Sequence, residues 1–96
     1  MKFTDDHYNL MYAFERLYEL FVLNNFDNAI LTISNSYFIN GRFRYLGYSF
    51  AFNYSSLDSS LLCSYKSLSS SIITKRFSNL SSFIEFLNDA FLNVNR

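Results

Sequence analysis

The sequence predicts an α+β fold in which an antiparallel β-meander of three to four strands packs against an N-terminal and a C-terminal helix. Three observations support this prediction. Apolar residues recur at helical spacing near both ends of the chain, a long aromatic-rich run fills the middle, and the pair Asn40-Gly41 divides that run. Because 96 residues are the length of one small domain, residues 1-96 are expected to form a single α+β domain.

The N-terminal helix is predicted to begin after a Thr4 cap and to end near Asn24-Asn25, since Asn tolerates the left-handed conformation at helix ends. Its apolar face repeats at three- and four-residue spacing through Leu10, Phe14, Leu17 and Phe21. Five further residues widen that face: Tyr8, Met11, Tyr12, Tyr18 and Val22. So broad a face predicts either a homodimer through the N-terminal helix or a small domain with more aromatic residues than it can bury.

A central hairpin is predicted to turn at Asn40-Gly41, because an Asn-Gly pair between strand-like runs suits a two-residue turn with positive φ at both positions. This register pairs Ile33 with Tyr48 and Leu31 with Phe50. It assigns the base of the hairpin an apolar core face that holds Leu31, Ile33, Leu46, Tyr48, Phe50 and Phe52. The projecting tip would carry six aromatic and basic residues: Tyr37, Phe38, Arg42, Phe43, Arg44 and Tyr45.

The remaining elements are read from a serine-rich stretch and a final helical pattern. Residues 55–71 fit either a helix or a short strand, and the serines favour the strand because they compete for helical backbone hydrogen bonds. The β-branched residues of 71–77 predict another strand. Ser78 or Asn79 is expected to cap the last helix, from whose apolar stripe Phe86 is excluded. The predicted stripe contains Leu80, Phe83, Ile84, Leu87, Ala90, Phe91 and Val94.

Composition excludes several classes of function. The chain has eight basic and eight acidic residues, so it lacks the excess of positive charge typical of proteins held on nucleic acid by charge alone. One Cys and one His cannot supply a zinc site, and no cofactor motif is present. His7, Asp5 and Asp6 lie in one helical turn with no pocket-forming partners, which predicts no catalytic residues and no enzyme.

The cellular setting is predicted from the same features. No apolar run approaches the length of a membrane span, and the charged start of the chain lacks the apolar stretch of a signal peptide. The single Cys63 favours a reducing compartment. We therefore expect a protein that is not secreted and that resides in the cytoplasm (the host cytoplasm if it is viral) or in an organelle matrix.

The hairpin tip is the one group of residues with a functional pattern. Arg next to aromatic side chains is typical of protein interfaces, so the leading hypothesis is a non-enzymatic protein-interaction module. The chain is small, and its composition is biased toward amino acids whose codons are rich in U. These two features extend the hypothesis to a virus- or phage-encoded accessory or inhibitor protein, or to a small subunit of a larger assembly. The alternative is a small nucleic-acid-binding protein, in which the tip stacks bases and holds phosphates. A third reading leaves the tip without a partner, its Arg stems packed on its own aromatic rings.

Overall fold

A computed structural model describes residues 5–92 of the protein, with side chains described from residue 10 onward. The described part begins with helix α1 (Asp5–Asn24) and ends with helix α2 (Leu80–Leu87), which continues as a short π-helical segment (Asn88–Leu92). Five strands lie between the helices: β1 (Asp27–Ser34), β2 (Phe38–Tyr45), β3 (Tyr48–Ser55), β4 (Leu61–Ser67) and β5 (Ile73–Phe77). The predicted α+β class is confirmed, with five strands in place of three to four.

The five strands form one antiparallel meander in the order β1-β2-β3-β4-β5. Both helices cover the same face of this sheet. Phe21 of α1 contacts Phe43 and Phe52 edge-on, with ring centroids 5.2 and 6.2 Å apart. The ring of Phe83 in α2 lies 5.3 Å from the Phe52 ring, so both helices contact the same residue of the sheet. The fold therefore has two layers, and the core lies between them.

Helix α1 buries the predicted stripe, with Leu10, Leu17 and Phe21 at 8% exposure or less. It ends where predicted, and Asn25 takes a positive φ of 54° directly after the last helical residue. The predicted cap, Thr4, lies outside the described residues. Four of the residues that widen the stripe, Met11, Tyr12, Tyr18 and Val22, are exposed, and the side chain of the fifth, Tyr8, lies outside the described side chains.

The predicted position of the hairpin turn is wrong. Asn40-Gly41 lies in the middle of β2, and the two-residue turn is Leu46-Gly47, whose φ values are 52° and 80°. This turn joins Tyr45 to its cross-strand partner Tyr48. The preceding hairpin, from β1 to β2, bends at Asn35 and Ser36, which also have positive φ.

Packing against the helices explains why the turn lies at Leu46-Gly47 and not at the predicted position. A two-residue turn after Tyr45 brings Phe43 onto the same face as its partner Phe50, and both become buried. The predicted register would have left Phe43 on the solvated face. Burial of each Phe side chain is worth about 1.5–3 kcal/mol, which outweighs the local preference of an Asn-Gly pair for a turn.

Gly41 serves close packing within the sheet rather than a turn. Its cross-strand partner is Phe52, and a Cβ atom on Gly41 would overlap the Phe52 ring. The absent side chain therefore leaves the space that the far end of this ring occupies. The ring is thereby held between the sheet and the two helices, where it is 5% exposed.

Aromatic rings fill the core in an almost continuous series. Phe43 stacks between Phe26 and Phe50, with centroid distances of 4.2 and 4.6 Å and interplanar angles of 12° in both pairs. Phe91, in the π-helical segment, meets Phe50 edge-on at 5.0 Å. Such pairs add about 0.5–1.5 kcal/mol beyond the area they bury. The high Phe and Tyr content of the sequence thus supplies a core for a short chain.

Most of the predictions for the C-terminal half of the chain are confirmed. Strand β4 confirms the strand reading within residues 55–71, and the Asn79 side chain caps α2 by accepting a hydrogen bond from the Ser82 backbone N–H at 2.8 Å. Phe86, which the helical pattern excludes from the stripe, is nevertheless half-buried, because its ring packs on Tyr65 and Phe77 at 5.7 and 5.4 Å. The predicted stripe residue Val94 lies outside the described residues.

Candidate partner-binding face

One side of the sheet is left uncovered by both helices within the described residues. We call it the open face. Its side chains alternate with the core residues along the three central strands. It is made of Phe38, Asn40, Arg42 and Arg44 on β2, Ser49, Ala51 and Asn53 on β3, and Leu62, Ser64 and Lys66 on β4.

The open face contains a shallow groove of about 640 Å³. Its floor is made by small side chains, which are Ala51 on β3 and Ser64 on β4. Arg42 and Arg44 line it from β2, and Lys66 lines it from β4. The groove forms because the central strands carry short side chains between longer ones. A partner can therefore approach the sheet closely between positively charged groups.

Cross-strand hydrogen bonds hold the polar side chains of the open face. The Asn53 amide donates to the Asn40 side-chain oxygen between β3 and β2. The Arg44 Nε donates to the Ser49 hydroxyl at 3.4 Å. The Ser64 and Thr74 hydroxyls lie 3.1 Å apart between β4 and β5. These bonds are exposed, so they order the surface more than they stabilise the fold.

Positive charge is concentrated on this face. Within the described residues, the one ion pair joins Arg76 to Asp58 at 3.8 Å, and it lies at the end of the sheet where β5 meets the β3–β4 loop. Arg42, Arg44 and Lys66 are exposed and form no ion pair among those residues. Asp27 is the cross-strand partner of Arg44 at the edge of the sheet. The groove is therefore positively charged at its centre and has acids only at its margins.

Asp58 is held in its charged form by its own loop. The Ser60 hydroxyl and the Ser60 backbone N–H donate to it at 2.7 and 3.0 Å, and together they lower the pKa of the Asp58 carboxyl. The nearby Arg76 guanidinium lowers the pKa of this carboxyl further, by a smaller amount. The loop is also anchored to the β1–β2 hairpin, because the Ser56 hydroxyl donates to the Tyr37 carbonyl at 2.9 Å.

The structure separates the six residues that the sequence assigned to a hairpin tip. Arg42, Arg44 and the half-buried Phe38 share the open face. Phe43 is a core residue at 2% exposure, and Tyr45 packs against the core at the end of β2. Tyr37 lies in the β1–β2 loop and is 38% exposed. No projecting tip forms, since its centre is the middle of a strand.

Other residues of the groove were missed by sequence reasoning. Lys66, Ser64 and Ala51 line it, together with Ile30 of β1 and Ile72 before β5. Lys66 could have been found, because Leu61, Cys63 and Tyr65 alternate with polar residues and so assign Lys66 to the opposite face. Ile30 could not have been found, because its placement depends on an irregularity in the β1–β2 pairing between Asp27 and Ile30.

Chemistry-bearing groups are few in the described part of the chain. Cys63 is fully buried on the helix side, and burial raises the pKa of its thiol to about 12. Burial also raises the pKa of the Tyr65 hydroxyl. No three His, Cys, Asp or Glu side chains of the described residues lie together as a metal-binding group. Between residues 5 and 92, no helix has both the length and the apolar character to cross a membrane.

No protein-family model, no curated protein and no solved structure matches this chain.

Proposed function

We propose that this chain is a non-enzymatic protein-interaction module whose partner-binding surface is the open face. The observation that carries the proposal is the groove between Arg42, Arg44 and Lys66, with its floor of small side chains. Arg is enriched at protein interfaces, and small residues beneath it let a partner approach the sheet closely. Exposed Ile30 and Ile72 add apolar contact at the two sides of the groove. The partner is a protein surface with acidic and apolar groups.

The wider setting belongs to the same proposal. A virus- or phage-encoded accessory or inhibitor protein, or a small subunit of a larger assembly, remains the setting suggested by the biased composition. The single free thiol, Cys63, favours a reducing compartment such as the cytoplasm or an organelle matrix. Self-association through the exposed side of α1 is also proposed, because Tyr12, Tyr18 and Leu23 are 59% exposed or more.

Affinity purification of the tagged protein from its native source tests the main proposal. The variant Arg42→Ala/Arg44→Ala should lose the captured partner, because it removes both cations from one wall of the groove. The matched control is Arg16→Ala/Lys75→Ala, which removes the same charge from the helix-covered side and should retain the partner. Thermal unfolding of both variants checks that they are folded. Equal capture by the two variants would contradict the proposal.

A nucleic-acid-binding protein is the second candidate function, and the cation cluster of the open face favours it. Its stacking surface is smaller than expected from the sequence, because Phe43 is buried and only Phe38 of the predicted aromatic residues lies on the open face. Three phosphate contacts predict a log–log salt slope of about −2 for a single strand. Fluorescence anisotropy with labelled single- and double-stranded DNA and RNA at low salt measures this slope. No binding to any of the four would reject this function.

A further inference from the structure

Basic and acidic residues are unevenly divided between the two sides of this electrically neutral protein. The open face and its β5 edge carry Arg42, Arg44, Lys66 and Arg76, which are half of the eight basic residues of the chain. On the helix side, exposed acids outnumber the two basic residues, Arg16 and Lys75. The exposed acids with described side chains there are Glu15, Glu19, Glu85 and Asp89. A net charge of zero thus hides two surfaces with opposite potentials.

The outer side of α1 combines acidic and apolar groups. Met11, Tyr18 and Val22 are 54–59% exposed, and Glu15 lies between them at helical spacing. We call Met11, Glu15, Tyr18 and Val22 the acidic row. Arg16, the basic residue of α1, is directed elsewhere, because its guanidinium donates to the Ser81 hydroxyl of α2 at 3.1 Å. Among the described residues, Glu15 of the acidic row therefore forms no ion pair within its own helix.

The acidic row and the open face complement each other. Glu15 and the neighbouring Glu19 match the cations of the groove, while Met11, Tyr18 and Val22 match the exposed Ile30 and Ile72. Residues 11–22 of a helix are about 18 Å long at 1.5 Å per residue, which fits within the length of an eight-residue strand of about 26 Å. Contact of α1 with α1 would instead bring the glutamates of the two copies together, which is unfavourable.

We propose that the open face of one copy binds the acidic row of α1 of a second copy. This inference rests on the proposed function, since it uses the open face as the protein-binding surface and names the partner. The two surfaces in contact differ, so the contact is head-to-tail and leaves one free face at each end. Association therefore continues to oligomers of increasing length unless a ring closes. Salt weakens the contact because its charged groups are exposed.

Sedimentation velocity with charge-exchange variants tests the inference. The unmodified chain should sediment faster with increasing concentration at about 0.1 M salt and should approach the monomer at about 1 M, where the Debye length falls from about 10 to about 3 Å. Arg42→Glu/Arg44→Glu and Glu15→Lys/Glu19→Lys should each be monomeric alone, because both surfaces then have the same sign. An equimolar mixture of the two variants should associate again.

The matched control is Glu85→Lys/Asp89→Lys, which makes the same change in net charge outside α1 and should associate like the unmodified chain. A chain that stays monomeric at high micromolar concentration and low salt would overturn the inference. Loss of association in the control to the same degree as in Glu15→Lys/Glu19→Lys would also overturn it. Capture of a cellular partner by Glu15→Lys/Glu19→Lys, combined with a monomeric unmodified chain, would refute self-association and leave the proposed function standing.

Discussion

The two faces of the sheet are built from alternate residues of the same strands, yet they differ in almost every physical property. Phe43, Phe50 and Cys63 are at most 3% exposed, whereas their sequence neighbours Arg42 and Ala51 are exposed. No buried side-chain nitrogen or oxygen of the described residues lacks a hydrogen-bond partner. The covered face therefore stabilises the fold mainly through apolar packing, and its buried polar groups are paired. The open face contributes little to folding and is available for binding.

Replacement of Phe43 by alanine should have the largest effect on stability, because this ring lies at the centre of the aromatic stack between Phe26 and Phe50. Loss of a buried Phe side chain costs about 3–5 kcal/mol, a large part of the 5–15 kcal/mol typical of a domain. Chemical denaturation monitored by circular dichroism measures the free energy of unfolding. If Phe43→Ala does not fold, Phe43→Leu provides a milder variant, with an expected loss of about 1.5 kcal/mol.

The matched variant on the open face is Arg44→Ala. Arg44 is the sequence neighbour of Phe43, and the Arg44 side chain forms only an exposed hydrogen bond to Ser49. Its free energy of unfolding should change by no more than about 0.5 kcal/mol. A loss of stability in Arg44→Ala equal to that in Phe43→Leu would contradict the distinction between the two faces.

Gly41 tests the covered face at a position without a side chain. Gly41→Ala should destabilise the protein by about 1–3 kcal/mol, because the added methyl group overlaps the Phe52 ring. Gly47→Ala should also be destabilising, by about 1–2 kcal/mol, but for a conformational reason, since Gly47 has a φ of 80° and open space around it. Both values are measured by denaturant unfolding.

Phe52→Leu separates these two causes. A smaller side chain at position 52 leaves room for the added methyl group, so it should recover part of the loss in Gly41→Ala. It should add independently to Gly47→Ala, because nothing lies within 4 Å of the Cβ position there. Independent addition in both double variants would show that Gly41 does not make space for Phe52.

The helices and the fold class could be predicted from the sequence because both depend on periodicity within one element. The helix stripe of Leu10, Leu17 and Phe21 and the Asn79 cap are local signals, and the structure contains both. The turn could not be predicted in this way. Its position at Leu46-Gly47 depends on which register buries the most aromatic surface against the helices, and that is a property of the whole fold.

The candidate face was predictable only in part for the same reason. Arg42 and Arg44 lie two residues apart, so any strand assigns them to one face, and this part of the predicted site remains together. Phe43 and Tyr45 were assigned to an exposed tip because the turn was placed inside β2. Once the strand is continuous, the same alternation directs them to the core.

Thiol reactivity compares the two faces directly. Cys63 is inside the core, and its thiol should react with a thiol reagent at neutral pH only as fast as the protein opens. The variant Cys63→Ala/Ser64→Cys moves the single thiol by one residue onto the open face, where it should react rapidly. Reaction followed by absorbance gives both rates. Equal rates in the folded state would contradict the burial of Cys63.

The same thiol predicts how stability depends on pH. The pKa of Cys63 is raised from its ordinary value of 9.0 to about 12 in the folded protein, so the unfolded chain loses this proton first. Its contribution to stability is complete below about pH 9 and is lost between about pH 9 and 12. At pH 10 the loss should be roughly 1 kcal/mol relative to Cys63→Ala, measured by denaturant unfolding of both proteins. Parallel pH profiles of the two proteins would contradict it.

The smallest effect is expected from the hydrogen bond between the Ser64 and Thr74 hydroxyls, which are 3.1 Å apart on the uncovered side of β4 and β5. Water replaces an exposed partner, so Ser64→Ala and Thr74→Val should each change the free energy of unfolding by about 0.5 kcal/mol or less. A double-mutant cycle measures the coupling between them. Coupling well above about 0.5 kcal/mol would mean that this pair is shielded from water and that the open face is covered. A small value would instead agree with a solvated surface whose side-chain hydrogen bonds contribute little to folding.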